Sequence, residues 1–160
     1  MSKPDVLKIL QDAGLDVLTC IQCGTCSGSC PSGRYTSLNT RRIVRKAHKG
    51  GDILHDDKLW MCATCYNCQE RCPRGIKIVD AILVIRTIAV HEGIMLPEHR
   101  DVSRLVLEYG HAVPINNATM EMREGLGLGS FPETVHKYPD ALEDVKTLLR
   151  SCEFDKLVQE

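Results

Sequence analysis

The sequence predicts a mainly α-helical protein, and three observations lead to this fold class. Several segments place apolar residues at helical spacing between residues that typically begin or end helices. Residues 31–61 lack the pattern expected of β-strands. The supply of core residues is thin, because the 43% apolar fraction includes nine cysteines and only 4% of residues are aromatic. We therefore expect small helical units that depend on something besides packing for their stability.

Composition argues against several functional classes. The chain has 160 residues, a net charge of −1 and 26% charged residues, unlike a disordered chain or a strongly basic nucleic-acid-binding protein. Its first residues are polar and form no secretory signal. The most apolar stretch, residues 78–90, is too short to span a bilayer and contains Asp80 and Arg86. We expect a cytoplasmic protein with no membrane span and no nucleic-acid partner, in which cysteines serve metal or redox chemistry.

Glycines mark the ends of the first two predicted helices. One helix spans residues 4–13 and ends at Gly14. The other begins after Asn39, a favoured N-cap residue, and stops at Gly50. The surrounding segment, residues 34–49, carries six Lys or Arg residues and no acid. We interpret it as a solvated helix face, with compensation of a bound negative group or docking of an acidic partner as alternatives.

A third helix is predicted over residues 77–91 and ends at Gly93. β-branched residues are frequent in this segment, so a strand is the alternative. The segment is nevertheless long for a strand, and we favour the helix. The apolar positions at helical spacing are Ile78, Ile82, Ile85 and Ala89.

Eight of the nine cysteines form two runs with the same spacing, Cys-x2-Cys-x2-Cys-x3-Cys-Pro. The first run, residues 20–31, contains Cys20, Cys23, Cys26 and Cys30. The second run, residues 62–73, contains Cys62, Cys65, Cys68 and Cys72. Each cysteine of the second run lies 42 positions after its counterpart in the first. We interpret the two runs as an internal repeat of a complete cofactor-binding unit.

The spacing of each run indicates iron–sulfur chemistry. Three thiolates separated by two residues can occupy three corners of a [4Fe–4S] cube, whereas a fourth thiolate three residues further points away from that loop. In two-cluster ferredoxins with this run, the fourth cysteine ligates the other cluster. We therefore predict two [4Fe–4S] clusters, whose binding contributes to folding. The predicted ligands are Cys20, Cys23, Cys26 and Cys72 for cluster 1, and Cys62, Cys65, Cys68 and Cys30 for cluster 2.

Other uses of cysteine match these runs less well. Structural zinc sites also use Cys-x2-Cys, but they typically have four ligands in two pairs separated by a long spacer. Disulfides do not fit the reducing compartment predicted for this chain. A thioredoxin-like redox pair would lie beside a βαβ pattern, and none surrounds either run.

Two further helices are predicted in the second half of the chain. One covers residues 98–109, between Pro97 and Gly110. The other is the last helix of the chain, described below.

Residues 125–129 are glycine-rich but lack the spacing of a dinucleotide site, so we interpret them as a surface loop.

The last helix is predicted from Pro139 onward. We expect Asp140 to be its N-cap residue, with Glu143 three positions later in a capping box. Its predicted apolar stripe comprises Leu142, Val145, Leu148 and Leu149. The ninth cysteine, Cys152, continues that stripe and is expected to be a small buried hydrophobic residue.

The cysteine runs and their flanks resemble the C subunit of soluble heterodisulfide reductase from methanogenic archaea. The segments are Cys-Ile-Gln-Cys-Gly-Thr-Cys-Ser-Gly-Ser-Cys-Pro at 20–31 and Leu-Trp-Met-Cys-Ala-Thr-Cys-Tyr-Asn-Cys-Gln-Glu-Arg-Cys-Pro-Arg-Gly at 59–75. The resemblance is strongest over residues 15–95. It implies an α-helical ferredoxin fold with two [4Fe–4S] clusters between short helices. We predict this domain over residues 1–95 and a helical C-terminal extension for subunit docking over residues 96–160.

The resemblance also implies an electron-transfer role. The chain would relay electrons from the flavin- and iron–sulfur-containing subunit of heterodisulfide reductase to the catalytic subunit. That catalytic subunit reduces the mixed disulfide of coenzyme M and coenzyme B in methanogenesis, within a larger complex that contains a hydrogenase or formate dehydrogenase. In this family it has adjacent cysteines in Cys-Cys-Gly motifs, and this sequence has none. We therefore expect an oxidoreductase subunit without catalytic residues of its own.

The sequence leaves alternative functions open. A similar relay could serve another dehydrogenase, of the anaerobic glycerol-3-phosphate or glycolate-oxidising type, because cysteine spacing alone does not separate them. The upstream [2Fe–2S] run of succinate dehydrogenase iron–sulfur subunits is absent. A freely diffusing ferredoxin fits less well, since roughly 65 residues follow the cluster region. A structural zinc-binding module is the least favoured alternative.

Overall fold

In a computed structural model that describes residues 4–159, the chain is helical, and no β-strand occurs among these residues. This confirms the predicted mainly α fold class. The chain divides into two compact units between Ile94 and Met95. The first three residues and the last residue of the predicted domains lie outside the described part of the chain. The docking role of the second unit stays a prediction.

The first unit consists of short helices joined by cysteine-rich loops. Its α-helices are α1 (Val6–Asp12), α2 (Thr25–Gly28), α3 (Thr40–His48), α4 (Asn67–Glu70) and α5 (Ile78–His91). Its 3₁₀ helices are Val17–Thr19, Ser32–Arg34 and Asp57–Met61. The two longest α-helices, α3 and α5, each follow one cysteine run, so both runs lead into a rigid element.

Side-chain caps set the starts of α1 and α3. The Asp5 carboxylate accepts a hydrogen bond from the backbone N–H of Lys8 at 3.1 Å. The Asn39 side chain does the same for the backbone N–H of Arg42, also at 3.1 Å. Such caps satisfy N–H groups that have no partner within the first turn. The cap predicted at Asn39 is therefore confirmed.

Helix α5 lies at the centre of the first unit and contacts α1, α4 and the 3₁₀ helix Asp57–Met61. Its four predicted apolar positions, Ile78, Ile82, Ile85 and Ala89, are at most 2% exposed. The prediction of a helix rather than a strand is confirmed. Although α5 is apolar, no helix in the described part of the chain is long and apolar enough to cross a membrane.

The second unit contains four described α-helices and the 3₁₀ helix Val135–Lys137. The α-helices are α6 (Pro97–Tyr109), α7 (Asn117–Gly125), α8 (Pro139–Ser151) and α9 (Phe154–Gln159). Helix α6 contacts both α8 and α9, and its predicted position is confirmed. Helix α7 was not expected; it begins with a capping box formed by Asn116 and Thr119. None of its residues is buried, and its sequence has no strong apolar pattern at helical spacing.

The structure corrects three details of the last predicted helix. Asp140 is not the N-cap residue, because α8 begins at Pro139 and Asp140 lies within the first turn. Leu148, expected in the apolar stripe, is 68% exposed. Cys152 is exposed rather than buried, since it caps the C-terminal end of α8. The chain then turns at Glu153, whose φ of 59° ends the helix before α9 begins.

Gly110 is the position in the second unit where an added side chain should be most damaging. Its φ is 63°, and a Cβ there would lie 2.2 Å from Val135 Cγ1 and 3.2 Å from Leu142 Cδ1. We expect Gly110→Ala to destabilise this unit by about 2–4 kcal/mol, through left-handed strain and overpacking together. Hydrogen exchange of the α6 amides measures this loss in the full chain.

Gly127→Ala is the matched control for that substitution. Gly127 has a similar φ of 72°, but nothing lies within 4 Å of the Cβ that the substitution would add. This variant should therefore show the conformational strain of about 1–2 kcal/mol without the clash. Equal losses of protection in the two variants would contradict the proposed contact with Val135.

Candidate iron–sulfur sites

The two cysteine-rich loops have the same backbone conformation. Gln22 and Thr64, which occupy equivalent positions in the repeat, both have positive φ, at 57° and 49°. Gly24 and Tyr66 are also equivalent, with φ of 87° and 62°. Left-handed conformations are unfavourable for residues other than glycine and occur where the surrounding structure imposes them. The shared strain indicates that one loop shape is built twice.

The thiols of the two loops also show the same order of burial. The first cysteine of each loop is half-buried, the second is exposed and the third is buried. In chain order these are Cys20, Cys23 and Cys26 in the first loop, and Cys62, Cys65 and Cys68 in the second. The three thiols of one loop therefore have the same solvent exposure as their counterparts in the other loop.

The first loop shares a cavity with the last cysteine of the second run. This cavity is open to solvent on one side. Its lining includes Cys20, Cys23, Cys26 and Cys72, which are the four residues predicted to hold cluster 1. Arg41 and Arg74 also line it, so two cations lie beside a group of thiols. Four thiols with adjacent positive charge fit a [4Fe–4S] cluster, whose thiolate-ligated form is negatively charged.

The second loop lies beside the last cysteine of the first run. The Ser32 hydroxyl donates a hydrogen bond to the Met61 carbonyl oxygen at 2.5 Å. This contact holds the segment that follows Cys30 against the residue that precedes Cys62. In the cluster-free chain, burial raises the pKa of Cys68 to about 12, and neighbouring thiolates add to the increase. Those thiolates belong to Cys62, Cys26, Cys30 and Cys65.

Two sulfur atoms already accept hydrogen bonds from N–H groups. Gln22 Nε2 lies 3.2 Å from Cys20 Sγ, and the backbone nitrogen of Gly33 lies 3.3 Å from Cys30 Sγ. A Cβ at position 33 would lie 2.8 Å from the Leu38 carbonyl oxygen, so the close approach of this segment requires glycine. N–H groups near ligand sulfur stabilise thiolate charge and tune cluster potential.

The first loop is anchored to the start of α3. The Ser27 hydroxyl donates a hydrogen bond to Asn39 Oδ1 at 3.0 Å. The same hydroxyl accepts a hydrogen bond from the backbone N–H of Arg41 at 2.9 Å. The N-cap residue of α3 therefore also fixes the loop that carries the first three thiols.

The second loop is anchored to the start of α5 by the residue equivalent to Ser27. Gln69 Nε2 donates to Asp80 Oδ2 at 3.1 Å, and Gln69 Oε1 accepts from the backbone N–H of Val79 at 3.0 Å. The Tyr66 hydroxyl donates to Asp80 Oδ1 at 3.3 Å. Each loop is thus tied to the helix that follows it, although the side chains that make the contact differ.

Arg86 is a residue near the site to which the cysteine motifs assign no role. It lies on α5, and its guanidinium group donates hydrogen bonds to the carbonyl oxygens of Leu59 and Cys62. It also lies over the ring of Trp60, 5.6 Å from the ring centroid. The signal available in the sequence was a single arginine within the apolar segment that forms α5.

The basic segment divides between two surroundings. Arg41 lines the first cavity together with the thiols. Four basic side chains further along the chain, from α3 and from its C-cap residue, line a separate, open groove. These are Arg42, Arg45, Lys46 and Lys49. One member, Lys46, forms an ion pair with Asp56. The position of Arg41 fits compensation of a negative group, while docking by the groove stays a prediction.

The cysteines should differ sharply in reactivity when no cluster is bound. A hydrogen bond from the Thr25 hydroxyl lowers the pKa of the exposed Cys23, whereas burial raises that of Cys68 to about 12. Because the thiolate is the nucleophile, we expect alkylation of Cys68 at pH 8 in the folded cluster-free chain to be at least about a hundredfold slower than alkylation of Cys23. Mass spectrometry after timed iodoacetamide treatment of the cluster-free chain measures both rates.

Thr25→Val provides the control for this comparison. The substitution removes the hydroxyl group that lies 3.4 Å from Cys23 Sγ and leaves a side chain of similar size. We expect slower labelling of Cys23 and unchanged labelling of Cys68. Similar labelling rates for the two cysteines in the unmodified chain would contradict the predicted order.

The donor set is best described as thiols around a cavity. Among residues 4–159, no three His, Cys, Asp or Glu side chains are arranged to hold a single metal ion. The thiol groups of the first set instead line one common cavity. Together with the N–H groups directed at sulfur, this arrangement fits a multi-iron cluster.

Comparison with known proteins agrees with this chemistry. Residues 16–76, which include both cysteine runs, match a family model described as a 4Fe–4S dicluster domain. The match confirms that the runs form an iron–sulfur domain and that the fold is of the helical ferredoxin type. It fits a count of two clusters.

Curated relatives match nearly the whole chain. A Methanosarcina mazei protein, named as the C subunit of ferredoxin:CoB-CoM heterodisulfide reductase, is 62% identical over 98% of each chain. A Methanothermobacter thermautotrophicus protein, named as the C subunit of H(2):CoB-CoM heterodisulfide,ferredoxin reductase, is 51% identical over 93% of this chain and 82% of its own length. A Methanopyrus kandleri protein, named as the iron-sulfur C subunit of CoB–CoM heterodisulfide reductase, is 52% identical over 90% and 76%, respectively.

Proposed function

This chain belongs to the family of heterodisulfide reductase C subunits, and from that premise we propose that it relays electrons within a CoB–CoM heterodisulfide reductase complex. The name of one relative as an iron–sulfur subunit of a reductase and the match to a 4Fe–4S dicluster domain support this proposal. The observation that most strongly supports a relay is the cavity in which Cys72 joins the thiols of the first run. Two binding sites that exchange ligands would lie close together, as stepwise electron transfer requires.

The proposed cofactors are two [4Fe–4S] clusters. When bound, each would accept and release one electron at a time. The chain contributes thiolate ligands, with Cys26 and Cys68 buried and Cys23 and Cys65 at the surface. The buried thiols shield one side of each site from water, and the exposed thiols leave the other side accessible to a partner. This asymmetry supports electron exchange with partners at the protein surface.

The proposed partners are the other subunits of the complex. Electrons would come from the subunit that carries flavin and iron–sulfur clusters and pass to the catalytic subunit. We propose that a hydrogenase or formate dehydrogenase completes the assembly, that the second unit of this chain serves docking, and that the complex is cytoplasmic. The names of the curated relatives support this assignment over the glycerol-3-phosphate or glycolate-oxidising alternative.

We propose that the disulfide-cleaving site lies on another subunit. The sequence has no adjacent cysteines, so it lacks the Cys-Cys-Gly motif expected of the catalytic chain. Eight cysteines are assigned to cluster binding. The ninth, Cys152, is exposed at the end of α8 in the second unit.

Metal analysis and purification of the native complex test this proposal. Anaerobically reconstituted protein should contain about eight iron and eight sulfide per chain, as two [4Fe–4S] clusters require. A colourless protein with stoichiometric zinc would instead indicate a structural zinc module. In the native complex, copurification with a flavoprotein and a Cys-Cys-Gly subunit that reduces the coenzyme disulfide is expected. Copurification with a dehydrogenase that acts on another substrate would overturn the assignment to a heterodisulfide reductase complex.

A further inference from the structure

We propose that Arg86 is a positioning residue for the loop that holds the second cluster, and that its charge raises the reduction potential of that cluster. The inference rests on the proposed cluster binding by the second set of thiols. It concerns a residue that lies 14 positions after the last cysteine of the second run and belongs to neither cysteine motif.

The hydrogen bonds of Arg86 converge on the backbone that carries Cys62. Its Nε and Nη2 atoms lie 3.1 and 2.8 Å from the Leu59 carbonyl oxygen. The same Nη2 lies 2.7 Å from the Cys62 carbonyl oxygen. Leu59 belongs to the 3₁₀ helix Asp57–Met61, and Cys62 is the C-cap of that helix. The guanidinium group therefore joins the end of this helix to the first thiol residue of the loop.

Packing restricts the orientation of this side chain. Arg86 is half-buried on α5, and its guanidinium group stacks over Trp60. Neighbouring positions Ile82 and Ile85 on α5 are 1% exposed, so the helix is fixed in the core. A planar guanidinium group can donate to two acceptors at once, which an ammonium group cannot do in the same geometry. Arg86 thus holds the start of the second loop in a fixed position relative to α5.

The charge of Arg86 acts on the same loop. Burial lowers the pKa of the guanidinium group, while the nearby Cys62 thiolate acts in the opposite direction. An arginine nevertheless remains protonated across the physiological range. Reduction of a cluster adds negative charge, which a fixed cation in partly buried surroundings stabilises. Loss of this cation should therefore make the second cluster harder to reduce.

Two substitutions separate the positioning role from the charge. Arg86→Lys keeps the positive charge but cannot bridge the two carbonyl groups, whereas Arg86→Met removes both features. Arg45→Met is the matched control, because Arg45 is an exposed arginine on α3 that lines the open groove. All three variants are made in the full chain, reconstituted with iron and sulfide. EPR-monitored redox titration and the rate of iron loss to a chelator are the measurements.

The expected results differ between the two Arg86 variants. Arg86→Met should lower the potential of the Cys62 cluster by about 59 mV, a tenfold change in its reduction equilibrium for one electron. Both variants should release about half of the iron severalfold faster than the parent chain. In Arg86→Lys, the reduction potential of the Cys62 cluster should stay close to that of the parent chain. Selective absence of the Cys62 cluster from Arg86→Met also supports the proposal. Arg45→Met should change neither quantity.

Other outcomes overturn the inference. Unchanged potential and unchanged iron release in both Arg86 variants would show that the residue neither positions nor tunes the cluster. Equal loss of both clusters from both variants would identify Arg86 as a general requirement for folding instead. If the parent chain itself binds no iron, the proposed function fails, and this result is distinct from failure of the inference about Arg86.

Discussion

Replacement of Cys30 by Ser is expected to disrupt the cluster held by Cys62, Cys65 and Cys68, although Cys30 belongs to the other cysteine run. The prediction follows from the rule that the fourth cysteine of such a run ligates the other cluster, and the Cys30 thiolate acts electrostatically on Cys68. It also follows from the Ser32–Met61 hydrogen bond, which holds the two segments together. Iron content should fall from about eight toward about four per chain, or the EPR signal of that cluster should change.

Cys72→Ser is the reciprocal substitution. Cys72 lines the same cavity as the first three cysteines, so this variant should disrupt the cluster of the first run. Cys152→Ser is the control, because Cys152 is exposed in the second unit and should leave both signals unchanged. A change confined to the first-run signal in the Cys30→Ser variant would show that each run completes its own cluster. Crossed ligation would then be wrong.

Removal of the clusters is expected to produce the largest loss of stability in the first unit. Each crossed ligand closes a long loop between the two repeats, from Cys20 to Cys72 or from Cys30 to Cys62. A covalent cross-link over a loop of roughly 50 residues is worth about 4 kcal/mol on the chain-entropy estimate. Because metal binding and folding are coupled, loss of iron and sulfide should remove a contribution of this order.

Hydrogen exchange in the full chain, with and without its clusters, measures this effect. The amides of α3 and α5 should exchange much faster without clusters, because both helices are anchored to the cysteine-rich loops. The amides of α6 in the second unit provide an internal control and should change little. Equal protection of α5 in the two forms would contradict a structural role for the clusters.

Local signals made much of the first unit predictable from its sequence. Asn39 has a side chain that caps a helix, and the apolar residues of α5 recur at the spacing of a buried helical face. The cysteine spacing likewise identified an iron–sulfur domain, because ligand geometry restricts how thiols are placed along a chain. Each of these features depends on residues close together in sequence.

Features that depend on distant residues were not predictable in the same way. The bond between Arg86 and the Cys62 carbonyl joins residues 24 positions apart, and no local pattern indicates it. The exposure of Leu148 and Cys152 depends on which face of α8 packs against α6 and α9. Helical periodicity alone does not specify that face. The sequence pattern does not predict helix α7, because this helix has a capping box at Asn116 but no buried apolar face.

The cavity shared by the first loop and Cys72 has a consequence for how the protein is made. During translation the thiols of the first loop leave the ribosome well before Cys72 has been synthesised. On the proposed ligand assignment, the second site has all its ligands once residue 68 emerges, whereas the first must wait for residue 72. Cluster insertion would then follow synthesis of both repeats, and the site that begins first along the chain would be the last to be completed.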